Sequence, residues 1–424
     1  MSAKSPYVNQ RIPGKEKKNS IKRIRLKEDC VLVRGAARSA LYDLSDGKVY
    51  SLNRSAHRVL EHAQRKMARR RHRGFIDQLI DMGLAEAADT PLTSQQGSHG
   101  DGTEATLEFI WLEVTSTCNL TCLHCYGDCL SSPEPDRMEA EGWKAVMLQA
   151  RGLGCSQVQF IGGEPFLKKD LFTLIDFARN KGYIFVEIFS NLTLLKKERI
   201  HFLKDSGVHI ATTLYSSNAE THDWITGATG SHAKTVAAIN LLKDHDVPVR
   251  VAVIAMKQNQ DDLSATVEFL HSMGVEYKLP DPVRPTGRGC SQDVQPLNLP
   301  PEFSGQMSEA NFWTNMHSFY FNRKNNSCWA GKAAVTAAGE VIPCIFARDL
   351  VVGNCLEKGL EAVLHGNRLK RLWELTKDHV AVCRDCEYRY ACHDCRPLAY
   401  AQGGDLSAKP PRCLYDPYRG RWGK

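Results

Sequence analysis

Long apolar runs are missing from this 424-residue chain. No stretch of 18 apolar residues occurs anywhere, which leaves no candidate for a membrane-spanning helix. The opening residues, Met1-Ser-Ala-Lys-Ser-Pro-Tyr7, lack the apolar core of a secretion signal. Aromatic residues make up only 8%, and none interrupts the basic run Arg65-Lys66-Met-Ala-Arg69-Arg70-Arg71-His-Arg73. Single-strand nucleic-acid platforms need stacking aromatics among their cations. Despite a net charge of +7, the run therefore reads as a solvated face or an acidic-peptide contact, with no nucleic-acid partner and no membrane. Acidic residues are scarce in 1–27, one Glu against nine Lys and Arg, and this segment is expected to be a basic disordered tail.

Cysteine is abundant, 15 in all. Without a secretory segment, thiols at this density point to metal binding in the cytoplasm rather than to disulfides. Three stand in Thr117-Cys118-Asn-Leu-Thr-Cys122-Leu-His-Cys125-Tyr126. A CxxxCxxC run holds three thiolates on one tight loop, enough for three irons of a 4Fe–4S cube, and leaves the fourth iron open to a small molecule. Zinc favours a closed set of four ligands with paired CxxC spacing. A zinc knuckle or buried structural cysteines are the competing readings.

The run follows an apolar strand, Leu107–Thr115, and precedes Gln159-Phe-Ile-Gly162-Gly163-Glu164-Pro165 at the end of a second one. In this order the segments resemble the radical S-adenosylmethionine (SAM) enzymes. The resemblance implies that Cys118, Cys122 and Cys125 carry a 4Fe–4S cluster whose open iron binds SAM. It implies that Gly162, Gly163, Glu164 and Pro165 contact the methionyl amino group. Glycines let backbone approach a ligand closely, and a carboxylate pairs with an ammonium. Further SAM contacts are implied at His124 beside the adenine, at Ser190 and Asn191 closing the third strand, and at Thr213 and Tyr215 closing the fourth. His124 departs from the apolar ring that relatives favour. No residue is marked as the catalytic base; His222, in His222-Asp223-x-x-x-Gly227, reads as structural.

Later come Cys328, Gly339, Cys344 and Cys355, then Cys383-Arg-Asp-Cys386-Glu-Tyr-Arg-Tyr-Ala-Cys392-His-Asp-Cys395, and finally Cys413. This resembles the SPASM extension of radical SAM enzymes, which carries two auxiliary 4Fe–4S clusters. The pair Cys392/Cys395 is one residue closer than in the family pattern. The resemblance implies Cys383, Cys386, Cys392 and Cys413 for the distal cluster, and Cys328, Cys344 and Cys395 for the proximal one. Cys355 is the nearby spare thiol for the fourth proximal position; the alternative is an open site that a substrate occupies. A two-zinc tail competes, because CxxC…CxxC is also a zinc pattern. Cys30, Cys129, Cys155 and Cys290 fit no template and read as core or surface thiols.

Between these motifs, residues 105–285 alternate apolar strands, near 107–115, 156–161, 184–189, 208–214, 248–256 and 275–279, with amphipathic helices. Six such units imply a parallel sheet with right-handed crossovers, and the resemblance makes it a partial (β/α)6 barrel. Residues 28–90 hold three strands, with Ser45-Asp-Gly47 as a hairpin turn, then a helix capped by Asn53 and a second helix ending at Gly83. That order, with Asp46-Gly-Lys-Val-Tyr-Ser-Leu-Asn53, resembles the winged-helix peptide-binding domain of the pyrroloquinoline quinone chaperone. Such domains take the leaders of ribosomally made, modified peptides by adding a strand to a sheet edge. The expected α/β chain is thus a tail over 1–27, a winged-helix-like recognition domain over 28–90, a Gly/Ser-rich linker over 91–104, a radical SAM barrel over 105–285 and a SPASM domain over 286–424.

Together the resemblances imply a radical SAM enzyme that modifies a precursor peptide bearing a leader, with SAM and three 4Fe–4S clusters as cofactors and a flavodoxin or ferredoxin as electron donor. Auxiliary clusters suit a net oxidation, which favours cross-linking through a C–C, C–O or thioether bond. A sulfatase-maturing enzyme, a quinone-cofactor maturase, a peptide epimerase and a non-enzymatic zinc scaffold are the alternatives. Anaerobically reconstituted protein should hold about 12 irons and little zinc. Converting Cys118, Cys122 and Cys125 together to Ala should remove roughly a third of that iron and abolish SAM cleavage. Zinc as the main metal, or SAM cleavage surviving the triple change, would contradict the reading.

Overall fold

The computed structural model describes residues 23–88, 104–128 and 136–423. Most of the expected tail, nearly all of the expected linker and Cys129 lie outside the described residues. The chain forms two compact units. One draws on the described residues up to Glu104, on Met307–Cys328 and on the chain from Glu374 onward; the other on Ala105–Gln306 and Trp329–Trp373.

The first unit opens with strand β1 (Arg23–Leu26), inside the segment expected to be tail. Its period-two pattern explains the difference. Ile24 is buried, while Arg25 stands out to pair with Glu86 on the antiparallel partner β5 (Ala85–Ala88). Between them β2 (Cys30–Arg34), β3 (Ser39–Asp43) and β4 (Val49–Leu52) form an antiparallel meander with β3 in the centre. Helix α1 (Arg54–Arg65) starts where the Asn53 side chain accepts from the Ala56 N–H at 2.8 Å. Helix α2 (Arg73–Asp81) is followed by Gly83 with φ +74°, a left-handed exit that glycine adopts without steric cost.

All five residues of β3 are buried, because the meander is covered on both faces. Leu41 packs on one side with Leu60, Ile76 and Leu79 of the two helices. Ala40 and Tyr42 pack on the other with Phe319, Tyr388, Ala391 and Tyr415 from the cysteine-rich tail. The Tyr42 hydroxyl donates to the Glu387 carbonyl at 2.8 Å, and the Tyr415 hydroxyl to the Glu387 carboxylate at 2.5 Å. Gly35 passes so close that a Cβ there would lie 2.7 Å from the Glu387 nitrogen. The segment expected as a recognition domain over 28–90 thus shares a core with Phe319, Tyr388, Ala391 and Tyr415.

The second unit is the α/β part. Strands β6 (Phe109–Thr115), β7 (Gln157–Gly162), β8 (Phe185–Phe189), β9 (His209–Thr213) and β10 (Val249–Ala252) run parallel in sequence order. A short pair, β11 (Ile254–Ala255) and β13 (Asp281–Pro282), lies beyond β10, and β12 (Glu276–Tyr277) closes that side. At the other edge β14 (Lys332–Val335) pairs parallel with β6, followed by antiparallel β15 (Glu340–Ile342) and β16 (Gly353–Asn354). The sheet thus has nine strands. Its last three come from a stretch expected to be auxiliary-cluster domain.

Alternation sorts the strand residues onto two faces. Leu112, Val158, Phe160, Val186, Ile188 and Ile210 pack under helices α3 (Ala140–Gly152), α4 (Leu171–Asn180), α5 (Ile200–Asp205), α7 (Ser231–Asp244) and α8 (Leu263–Met273), while Ile225 of α6 (Ala219–Thr226) packs with Tyr215 and Met256. The opposite face carries Glu113, Gln159, Glu187 and Arg250 at neighbouring registers.

Because the meander and the tail share one core, deleting residues 1–90 should do more than remove a binding module. Each large apolar side chain uncovered loses about 1.5–3 kcal/mol of burial. The truncated protein should lose roughly a third of its iron along with ordered tail aromatics in near-UV circular dichroism. Full iron content after truncation would contradict the shared core.

Candidate active site

The loop after β6, residues 116–128, carries Cys118, Cys122 and Cys125. Its backbone is pinned to the end of α6 by Thr121 N–H to Thr226 C=O and Leu123 N–H to Ile225 C=O, both 2.9 Å. Arg288 holds it from another side. Its Nε and Nη2 donate to the Cys122 carbonyl at 3.1 and 2.8 Å, and its Nη1 to Asp128 at 2.8 Å. Nothing in the local sequence pattern marks Arg288 for that role. The Cys122 thiol is pushed up to about 12 by burial, with added repulsion from Cys118 and Cys125. Three thiols carried on one partly exposed loop supply the donors that a 4Fe–4S cluster takes as thiolates.

The Gly-Gly-Glu-Pro turn lies directly on this loop. Gly163 N–H donates to Thr115 C=O and Glu164 N–H to Thr117 C=O, both at 2.8 Å. A Cβ on Gly163 would sit 2.1 Å from the Thr117 oxygen, and one on Gly162 2.3 Å from the Thr115 oxygen. The glycines are needed here for the close passage of two backbones. Glu164 is fully buried, and its carboxylate accepts from Phe166 N–H at 3.0 Å, Ser190 hydroxyl at 2.7 Å and Asn191 N–H at 2.8 Å. It thereby ties the end of β7 to the end of β8. Asn191 reaches on to Asn119 in the cysteine loop at 3.0 Å.

Beyond β9, the Tyr215 hydroxyl meets His124 Nε2 at 2.8 Å, with the rings edge to face at 5.1 Å. It also bonds the Cys122 sulfur. Burial lowers His124 to about 4, so the ring is neutral near pH 7. His222 is likewise lowered to about 4 by burial and accepts from Tyr215 N–H through Nδ1. Thr213 ends β9 and is buried. The structure thus brings Gly162, Gly163, Glu164, Pro165, Ser190, Asn191, His124 and Tyr215 around the cysteine loop. Sequence reading missed the polar inner face of the sheet. Arg250 grips Glu187 through two bonds of 2.7 Å, and Arg348 donates to Glu113 at 2.7 Å. The available signal was a charged or amide residue inside each of four apolar strands.

In the first unit, one cavity is lined by Cys383, Cys386, Cys392 and Cys413 together with Tyr388 and Trp422. Burial raises the Cys383 thiol, and raises Cys392 to about 12. Four sulfurs around one apolar cavity fit a fully thiolate-ligated 4Fe–4S cluster. Cys395 lies at the start of helix Arg396–Ala401. Cys328 and Cys395 belong to the first unit, Cys344 and Cys355 to the second. Cys355 is packed in the apolar core of the second unit, the environment of a core thiol rather than of a ligand. The fourteen described cysteines form no disulfide.

A family model described as the radical SAM superfamily matches residues 112–270, and one described as an iron–sulfur cluster-binding domain, SPASM, matches residues 328–387. The chain carries a radical SAM domain and a SPASM domain. It is accordingly an enzyme whose cofactors are 4Fe–4S clusters and SAM. Over 348 residues it is 26% identical to an AdoMet-dependent heme synthase of Methanosarcina barkeri, covering 72% of this chain and 95% of that protein. It is 27% identical over 309 residues to the antilisterial bacteriocin subtilosin biosynthesis protein AlbA of Bacillus subtilis, covering 70% and 67%. Its fold is similar to Streptococcus suis SuiB bound to precursor peptide SuiA, with TM-score 0.56 and 15% identity over 91% of this chain and 98% of that one. No helix among the described residues is long and apolar enough to cross a membrane.

Burial pushes the Glu164 carboxyl up to about 6 from 4.5, against the pull of its three hydrogen bonds. The folded chain therefore holds this proton more tightly than the unfolded chain. The group's stability share is full below pH 4.5 and lost as pH rises through about 6, on the order of 2 kcal/mol. Thermal midpoints measured across that range should fall further in the wild type than in Glu164→Gln. Equal declines would contradict the assignment.

Proposed function

We propose that this chain is a radical SAM enzyme that cross-links a ribosomally made precursor peptide, recognised through the β2–β4 meander and its helices. One observation carries the reading. The fold shared with SuiB covers 91% of this chain, and the uncovered remainder is shorter than the segment 23–88, so the likeness reaches into that segment. SuiB is described as bound to a precursor peptide. The sequence match to the heme synthase covers nearly all of that protein yet leaves more than a quarter of this chain over. A heme-forming activity is the second reading, favoured by that 95% coverage.

In this reading Cys118, Cys122 and Cys125 hold the SAM-binding cluster, and SAM lies against Gly162–Pro165, Ser190, Asn191, Thr213 and Tyr215. Cys383, Cys386, Cys392 and Cys413 hold the distal auxiliary cluster. When bound, these groups supply a hydrogen-abstracting carbon radical and an acceptor for the electron that a net oxidation releases. The chain's own residues keep the loop fixed and the chamber dry. Arg288 and the Gly162–Glu164 turn hold the cysteine loop in place, and the paired Glu187/Arg250 and Glu113/Arg348 line the inner face without an unpaired charge. His124 and His222, both neutral, orient Tyr215 rather than move protons. A leader strand is expected to add to an edge of the meander, where backbone pairing supplies affinity. A flavodoxin or ferredoxin serves as electron donor, and clusters with unpaired thiols suit the reducing cytoplasm.

The test is an anaerobic reaction with a leader-bearing precursor peptide. Its mass should fall by about 2 Da per link, with one 5′-deoxyadenosine formed for each. Unchanged mass with one solvent deuterium gained would mean epimerisation. Turnover of a porphyrin with the peptide untouched would favour the second reading.

A further inference from the structure

Lys377, Asp394 and Arg396 form a charge cluster in the first unit that cluster ligation does not require. Their side chains are 7%, 2% and 0% exposed. Asp394 lies in the shortened turn between Cys392 and Cys395, and its Oδ1 stands 2.6 Å from the Lys377 ammonium. Its Oδ2 accepts from Arg396 Nε at 2.6 Å and from Arg396 Nη2. Arg396 Nη1 donates to the Leu406 and Ala408 carbonyls at 2.9 Å each. One carboxylate thus serves two cations, and a full positive charge is left over in the interior. Such a surplus is unfavourable in the interior unless a negative charge faces it.

Lys377 faces one. It lines the same cavity as Cys383, Cys386, Cys392 and Cys413. Arg389, also in that wall, is paired with Asp378 at 2.8 Å, and Lys409 is only partly buried.

We propose that Lys377 tunes the auxiliary cluster held by Cys383, Cys386, Cys392 and Cys413, raising its reduction potential by stabilising the charge it gains on reduction. The proposal rests on the ligand reading above. A 4Fe–4S centre with four thiolates is already anionic, and one-electron reduction adds one further negative charge. A fixed cation in a low-dielectric wall favours the reduced state, and so makes this cluster a better acceptor for an electron leaving the substrate.

The experiment is an EPR-monitored redox titration of the reconstituted holoenzyme as wild type, Lys377→Met, Lys377→Gln and Lys377→Arg, with iron counted in each. Cys383→Ala is the reference. If it loses no iron, the ligand reading fails, separately from the tuning. Given that loss, one signal in the uncharged variants should need a lower potential for reduction, while the other clusters stay put. At fixed potential the reduced-to-oxidised ratio of that cluster should drop about tenfold, equivalent to 59 mV for a one-electron couple, and Lys377→Arg should restore it. Unmoved midpoints at full iron would overturn the proposal. Loss of the cluster from both uncharged variants would overturn it too, making Lys377 a folding residue.

Discussion

The active centre depends on two backbones crossing at contact distance. Thr115–Cys118 leaves the first strand of the barrel unit, and Gly162–Glu164 leaves the second, with Gly163 and Glu164 donating to Thr115 and Thr117 at 2.8 Å. No side chain fits between them, since even a Cβ on Gly163 would reach 2.1 Å. This crossing fixes where the cysteine loop begins. The buried Glu164 carboxylate extends the constraint to Ser190 and Asn191, and Asn191 returns it to the loop through Asn119. Arg288 closes the far side on the Cys122 carbonyl. The loop is thus held chiefly through its backbone, from Thr115 to Cys122.

A second constraint shapes the other unit. A three-stranded meander has too little surface to make a core alone, and here each face has its own cover, helices on one and cysteine-rich tail on the other. Glu387, between Cys386 and Tyr388, takes hydroxyls from Tyr42 and Tyr415 at once. The segment proposed to recognise peptide and the cavity proposed to hold the distal cluster are consequently built on the same residues. Substitutions in β3 should be felt at the cluster.

Much of this was legible in the sequence, and the reasons are local. CxxxCxxC, Gly-Gly-Glu-Pro and the late cysteine pattern are contiguous, so their chemistry survives without coordinates. The strands of the barrel unit announced themselves because each is a short apolar run between helical patterns. The start of α1 at Asn53 and the exit from α2 at Gly83 followed from capping chemistry. What stayed hidden depends on long-range pairing. Residues 332–335 joining Phe109–Leu112, Arg348 reaching Glu113 and Tyr42 reaching Glu387 link positions far apart in the chain. Strand Arg23–Leu26 was masked by its basic outer face, although Ile24 and Leu26 kept the period of two. Cys355 looked like a spare ligand by spacing, and its burial among apolar side chains was invisible until the fold was known.

The central claim is that Cys118, Cys122 and Cys125 leave one iron open for SAM. EPR spectra of the dithionite-reduced protein, recorded with and without SAM, test it most directly. One cluster signal should change shape when SAM is added, and that signal alone should be missing from the protein with all three cysteines replaced by Ala. A spectrum indifferent to SAM, or a SAM-responsive signal that survives the triple replacement, would contradict the account.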